Sequence, residues 1–280
     1  MISCMEEIKT VLKNLIDAAP SKNKIFKRNI LKEYLQTLVL DYIYSHKDYS
    51  RLIFYGGSCL AHCHNLPRLS EDLDFVDAKN EISIARLADD LEKYFNEKTD
   101  IKAKAAGQKF RVYLKFPILR ELGLSEAGES DFLFLKVEVF QDFSFCRDFK
   151  TEIIPLFKLN RSILVRAFDL PTLMATKIRA VLFRKWEKSD KTGKVIAKVK
   201  GRDYFDLMWY LQKEIRPNIS CIEGTANLDE LREKLSEAVK KADARSIQTD
   251  LEALIDDKNK VLRLSDNMND ILIREIEKMK

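Results

Sequence analysis

The stretch GGSCLAHCHNLPRLSEDLDF, residues 56–75, holds two competing chemistries. Cys59, His62 and Cys63 stand at i, i+3 and i+4, so a helix would put all three on one face, which suggests zinc. Asp72-Leu73-Asp74 suggests magnesium and phosphate instead. The zinc reading runs short of ligands. A structural zinc takes four, usually from two separated pairs, and elsewhere the chain offers only His46 and the isolated Cys4, Cys146 and Cys221. The plainer expectation is that Cys59 and Cys63 are small core residues behind a turn and that His64 faces water.

The acidic pair reads differently. On a strand, residues two apart share a face, so Asp72 and Asp74 stand side by side while Leu73 and Phe75 turn into the core. Like charges held together are costly unless a cation neutralises them. Two Mg²⁺ ions, with Mn²⁺ as a substitute, would do so when bridged by carboxylates and substrate phosphates. A lone D-x-D is common in solvated loops. What strengthens it is Gly56-Gly57-Ser58 just upstream, after the apolar run Leu52 to Tyr55. A strand ending in Gly-Gly lets backbone N–H groups approach a phosphate. A helix start there adds its positive dipole end, and the Ser58 hydroxyl adds a donor. The competing expectation is an ordinary turn followed by a capped strand.

Outward from this centre the period of the sequence changes. Upstream, residues 8–15 and 25–42 read as two helices. Downstream, residues 82–97 read as an amphipathic helix, and Phe110 to Phe116 and Phe132 to Phe140 alternate like strands. Two further strands fit Ile153 to Phe157 and Ile163 to Phe168. In Phe132–Phe140, Glu138 and Lys136 share the face opposite Leu133, Leu135, Val137 and Val139. Glu138 is thus a candidate third acid, to hold a metal or take a proton from an attacking hydroxyl, or simply an exposed glutamate. Beyond Leu170-Pro171 helices dominate: 171–186, one from near Asp203, then 228–241, 246–256 and 265–278. A polar lysine-rich loop lies between the first two. It reads as a solvated segment or as an arm for RNA phosphates. The expected architecture is α+β: residues 1–169 a mixed β-sheet with flanking and N-terminal helices, residues 170–280 a helical bundle completing the cleft.

Bulk properties bound the rest. The chain has 280 residues, 46% apolar, and a net charge of +5. That permits an RNA partner or an anionic substrate without requiring either. Five scattered cysteines without a secretory signal favour free thiols in a reducing cytoplasm. No apolar run approaches a membrane span.

Taken together, Gly56-Gly57-Ser58 followed by Arg68-x-Ser70-x-Asp72-x-Asp74 resembles the opening motif of the AbiEii/AbiGii abortive-infection nucleotidyltransferase toxins. That family includes the MenT toxins and belongs to the DNA polymerase β-like superfamily. The helix LPTLMATKIRAVLFR and the signature Gly201-Arg202-Asp203-Tyr204-Phe205-Asp206-Leu207 resemble its second pair of motifs. The resemblance spans roughly residues 50–210. It implies the nucleotidyltransferase fold, with Gly56, Gly57 and Ser58 holding the triphosphate and Asp72 and Asp74 the magnesium. It further implies that Lys177 steadies the nucleotide phosphates, that Asp203 shapes the site, and that Arg68 and Arg202 are supporting cations. Glu138 stands where that family varies its third acid. The implied reaction moves an NMP from an NTP to an acceptor hydroxyl, often a tRNA 3′ end, and the implied partner is a cognate antitoxin. Two alternatives remain at this stage. One is a nucleotidyltransferase acting on a protein or an antibiotic-like small molecule. The other is a non-catalytic nucleotide-binding module. From the residues alone, Lys177 would pass as a solvated lysine and Asp203 as a helix N-cap.

Overall fold

Strand β1 (Ile53–Tyr55) runs directly into helix α3 (Gly56–His64), and this junction organises the first of two compact units. The structure, a computed structural model, describes residues 6–189, 192–193 and 195–280; Cys4 lies outside them. The first unit comprises residues up to Asn65, Leu69–Phe143 and Glu152–Ala167. The second comprises Leu66–Arg68, Ser144–Thr151 and Phe168–Lys280.

In the first unit, α1 (Ile8–Ala18) and α2 (Lys24–Ser45) precede β1. After α3 come β2 (Leu73–Val76), α4 (Ile84–Lys98), β3 (Lys104–Gln108), β4 (Arg111–Pro117), β5 (Phe132–Phe140), β6 (Thr151–Lys158) and β7 (Arg161–Phe168). The strands form one mixed sheet in the order β3-β4-β5-β2-β1-β7-β6. β2 lies antiparallel to β1 and parallel to β5, while β4 is antiparallel to β5.

Alternation drives this arrangement. Val112, Leu114 and Phe116 of β4 and Leu133, Leu135, Val137 and Val139 of β5 are buried. Helices cover that face because each presents an apolar stripe: Leu31, Leu35 and Leu38 on α2, and Leu87, Leu91 and Phe95 on α4. Ring contacts tie strands and helices together. Phe54 stacks on Phe75 at 5.1 Å, and Phe95 meets Phe116 edge-on at 4.8 Å.

The second unit is helical. α5 (Leu170–Phe183) starts at Asp169, whose side chain caps Thr172 N, with Pro171 in the first turn. It is followed by β8 (Lys188–Ser189), β9 (Val195–Ala197), α6 (Gly201–Gln212), α7 (Leu228–Lys240), α8 (Ala244–Leu251) and α9 (Lys258–Glu277). α6 packs against α5, α8 and α9. Its first residue has to be glycine. A Cβ on Gly201 would lie 2.5 Å from Ile247 Cα, which closes the α6–α8 approach to any side chain.

Two expectations need correction here. The segment read as a lysine-rich loop contains a short antiparallel pair, Lys188 opposite Ala197 and Ser189 opposite Val195; residues 190, 191 and 194 lie outside the described set. The cysteines are not all free thiols. Cys146 and Cys221 form a disulfide with their Cα atoms 4.2 Å apart, whereas Cys59 and Cys63 are free. Spacing could not show this pair, because 75 residues separate the two. They meet only when the Ser144–Thr151 segment comes against the 3₁₀ turn Ile219–Cys221, where Asn218 Nδ2 also donates to the Asp148 carbonyl at 2.9 Å.

Candidate functional site

Asp74 occupies the middle of β2, and the sheet register decides its surroundings. It lies opposite Tyr55 of β1 on one side and Glu138 of β5 on the other. Cross-strand partners share a face, so Asp74 and Glu138 stand side by side, and Asp72, two residues back, joins them. Gly56 immediately follows Tyr55. It has φ +80°, a left-handed conformation that favours glycine, and a Cβ there would come within 2.5 Å of Asp74 Oδ2. The carboxylate therefore lies against the glycine backbone at the start of α3. Gly56→Ala is expected to destabilise the fold by about 1–3 kcal/mol through strain and the collision with Asp74. A urea melt within about 0.5 kcal/mol of wild type would show that this approach is looser than described.

The start of α3 suits an anion. Its N-cap, Tyr55, provides no side-chain cap, so the first-turn N–H groups lack that source of satisfaction. Ser58 is fully buried in the same turn, and its Oγ has no hydrogen-bond partner among the described residues. A buried hydroxyl of this kind favours a ligand that supplies the missing bond.

Cations interleave with the acids. Lys136 Nζ lies 2.7 Å from Asp72 Oδ2, and Arg111 Nε lies 2.7 Å from Glu138 Oε1. Burial works to lower the Lys136 pKa, but Asp72, Glu138 and Glu71 together outweigh it and hold the ammonium charged. Arg111 also stacks its guanidinium over the Phe110 ring at 4.5 Å. Among the described residues, no three His, Cys, Asp or Glu side chains are grouped to hold a metal by themselves. The pairing explains this for Glu138, whose carboxylate is drawn to Arg111. Asp72 and Asp74 still fit Mg²⁺, because that ion is commonly held by one or two carboxylates together with substrate phosphates and water. Hard oxygen donors are also the right ligand type.

Two of the three residues that suggested zinc, Cys59 and His62, are buried in the core instead, while Cys63 is half-buried. Cys59 is buried, and burial, reinforced by Cys63, pushes its thiol well above the usual range. His62 Nε2 lies 3.0 Å from Gln36 Oε1. Burial, assisted by Lys158, depresses the His62 pKa to about 3 and keeps the ring neutral.

In the second unit Lys177 is not a solvated lysine. It is buried on α5, with Nζ 2.8 Å from both Asp203 Oδ1 and Asp206 Oδ2. Arg184, the residue that caps the end of α5, reaches Asp203 Oδ2 at 2.6 Å. Lys177 and Arg184 thus meet one carboxylate from one helix face, as their seven-residue spacing requires. Arg68 grips Asp206 with both ends of its fork, Nε to Oδ1 at 2.7 Å and Nη2 to Oδ2 at 2.6 Å. Burial alone would raise the Asp203 pKa; Lys177 and Arg184 more than reverse this and bring it to about 2. Asp203 is not the N-cap of α6. Lys200 holds that position, and Asp203 sits in the first turn.

Arg202 turns elsewhere. Its N–H donates to Asp250 Oδ2 at 2.9 Å, and its Nε lies 3.9 Å from the same atom. Sequence reasoning overlooked Asp206, Arg111 and the partner role of Lys136. Asp206 was visible inside the Arg202–Leu207 signature, three residues after Asp203 on one helix face. Lys136 was visible on the Glu138 face of β5. Arg111 gave no signal until β4 was set against β5.

Comparison with known proteins places this architecture. The chain matches, over residues 39–263, the family described as "Nucleotidyl transferase AbiEii toxin, Type IV TA system". The protein is therefore a nucleotidyltransferase. It belongs to the AbiEii toxin family, and the Gly-Gly-Ser and D-x-D stretch lies inside the matched region. Among solved structures, the chain resembles MenT4, a nucleotidyltransferase toxin from Mycobacterium tuberculosis H37Rv, with a TM-score of 0.52 and 13% identity over 97% of this chain and 92% of that one. At that identity the likeness speaks to the fold alone. A Helicobacter pylori nucleotidyltransferase candidate scores 0.47 at 16% identity, covering 89% of this chain and 97% of its own. The H. pylori protein JHP933 scores 0.43 at 17%, covering 89% and 93%. No protein of curated function matches the chain.

Proposed function

We propose that this nucleotidyltransferase moves an NMP from an NTP onto a hydroxyl of RNA, with a tRNA 3′ end as the acceptor. The observation that carries the reading is the contact of Asp74 Oδ2 with the Gly56 backbone, which sets a carboxylate beside the anion-binding start of α3. The triphosphate would lie on the N–H groups of Gly56 and Gly57 and take its further hydrogen bond from Ser58. The acceptor oxygen forms a bond to the α-phosphorus as the bond to the β-phosphate oxygen breaks, and pyrophosphate leaves. Glu138, beside Asp74, is the carboxylate proposed to receive the acceptor proton, with Arg111 setting its orientation. Bound Mg²⁺, or Mn²⁺ in its place, would be held by Asp72 and Asp74 and would supply charge neutralisation at the phosphates and activation of the attacking oxygen. Lys177 and Asp203 are proposed to act on the nucleotide phosphates, with Arg68 fixing Asp206 next to them.

The RNA assignment rests on the segment after α5. Lys185, Lys188 and Lys198 are exposed there, Phe183 is half exposed, and Lys200 lies over the half-buried Trp186 ring at 5.8 Å. Burial lowers the Lys200 pKa, and Arg202 and Arg184 lower it further against the opposing pull of Asp203 and Asp250. Cations beside aromatic faces suit a phosphate backbone with unstacked bases. Among the described residues no helix is long and apolar enough to cross a membrane. We propose a cytoplasmic setting, a cognate antitoxin encoded alongside, and growth arrest in phage defence as the outcome.

The test is incubation with each α-labelled NTP, total RNA and Mg²⁺. Label is expected on small RNA with one preferred base. Label on protein or on a small molecule would move the acceptor class, and absence of transfer with any acceptor would remove the RNA reading.

A further inference from the structure

Three acids share one face of the sheet. Asp74 and Glu138 are direct cross-strand partners, and Asp72 follows on the same face. Like charges opposite one another oppose strand pairing. The chain answers with two cations from the same face. Arg111 stands opposite Glu138 in the β4–β5 register, and Lys136 meets Asp72 at 2.7 Å. The two differ in kind. Arg111 is a planar fork stacked on Phe110. Lys136 is a compact point charge on a flexible stem, its side chain 36% exposed against 19% for Asp72. A cation so placed can hold the carboxylate and can also withdraw from it.

We propose that Lys136 is a resident counter-cation of Asp72: it keeps the acid pair aligned before a divalent ion binds, and it gives up Asp72 to that ion. This rests on the reading that Asp72 and Asp74 hold the metal. Lys136 is on this account a positioning residue that sets metal affinity. Its ammonium competes with the metal for one carboxylate, so metal occupancy becomes dependent on a second negative partner, the nucleotide phosphates. Arg111 performs the steadier task of pinning Glu138. A purely structural lysine would act in the opposite sense, because its loss would disorder Asp72 and weaken metal binding.

The experiment is a Mn²⁺ titration of the full chain without nucleotide, read by the electron paramagnetic resonance signal of free Mn²⁺. Lys136→Met is expected to bind Mn²⁺ about fivefold more tightly than wild type, the scale of one partly exposed ion pair removed from competition. Lys136→Arg, which keeps the charge, is expected to stay within about twofold of wild type. Should Lys136→Met fail to fold, Lys136→Gln carries the same expectation with a polar side chain. Equal or weaker binding by the neutral variants, with binding lost in Asp74→Asn, would overturn the counter-cation role and leave the metal site standing. No Mn²⁺ binding by wild type or by the neutral variants would remove the metal reading and this inference with it.

Discussion

Replacing Asp74 with asparagine is expected to lower nucleotidyl transfer by about a thousandfold, a loss of about 4 kcal/mol of transition-state stabilisation. The substitution keeps the shape of the side chain against Gly56 and removes only the charge. Asp74 stands between a glycine backbone and Glu138, with Asp72 on the same face. Removing one of three negative charges on one face leaves less repulsion to offset, so the fold should remain within about 1 kcal/mol of wild type. Paired measurements of label transfer and urea unfolding separate the two effects. A variant that folds and still transfers at a tenth of the wild-type rate would show that Asp74 is not part of the reacting centre.

The second large effect concerns stability. Arg68 and Asp206 have side chains 1% and 0% exposed and bind through two parallel hydrogen bonds. Removing either partner leaves a buried charge uncompensated, at a cost of about 3–5 kcal/mol. Against a total stability of about 5–15 kcal/mol, that is a large fraction. Arg68→Met alone should therefore lower the urea midpoint sharply. Asp206→Leu should do at least as much, because Lys177 then also loses one of its two carboxylates. Combining Arg68→Met with Asp206→Leu should cost much less than the sum of the single changes, since no buried guanidinium or Asp206 carboxylate remains. Additive losses would mean that the two side chains do not depend on one another.

The same pair shows how far the sequence could be read. Arg68 was legible as a motif residue, but its task was not. A phosphate contact and a buried ion pair look identical in one dimension, and only folding brings position 68 to position 206. The acid pair was better served. Asp72 and Asp74 lie two apart on a strand, so their shared face follows from the pleat. The buried partners Leu73 and Phe75 follow from the same period. That Lys177 and Arg184 share a helix face follows from their spacing in the same way, whereas their meeting on Asp203 does not.

Elements without an internal pattern were lost. β3, Lys104–Gln108, carries KAAGQ, with no alternation and mostly exposed residues. It is a strand because β4 pairs with it across a turn at Lys109, φ 53°. Helix starts were misplaced where a cap was overlooked. α8 begins after Asp243 and α9 after Asp257, each accepting from a backbone N–H three residues on. Apolar periodicity alone had placed those starts two and seven residues late. The disulfide and the Arg111–Glu138 pair were illegible for a common reason: both depend on which segments become neighbours.

Crystals of the protein grown with Mn²⁺ and a non-hydrolysable NTP, measured at the manganese absorption edge, test the central claim most directly. The account predicts an anomalous peak within about 2.2 Å of carboxylate oxygens from both Asp72 and Asp74. It also predicts triphosphate oxygens on the N–H groups of Gly56 and Gly57, with the Ser58 hydroxyl donating to one of them. A manganese ion held elsewhere, or a triphosphate that leaves the start of α3 untouched, would contradict it.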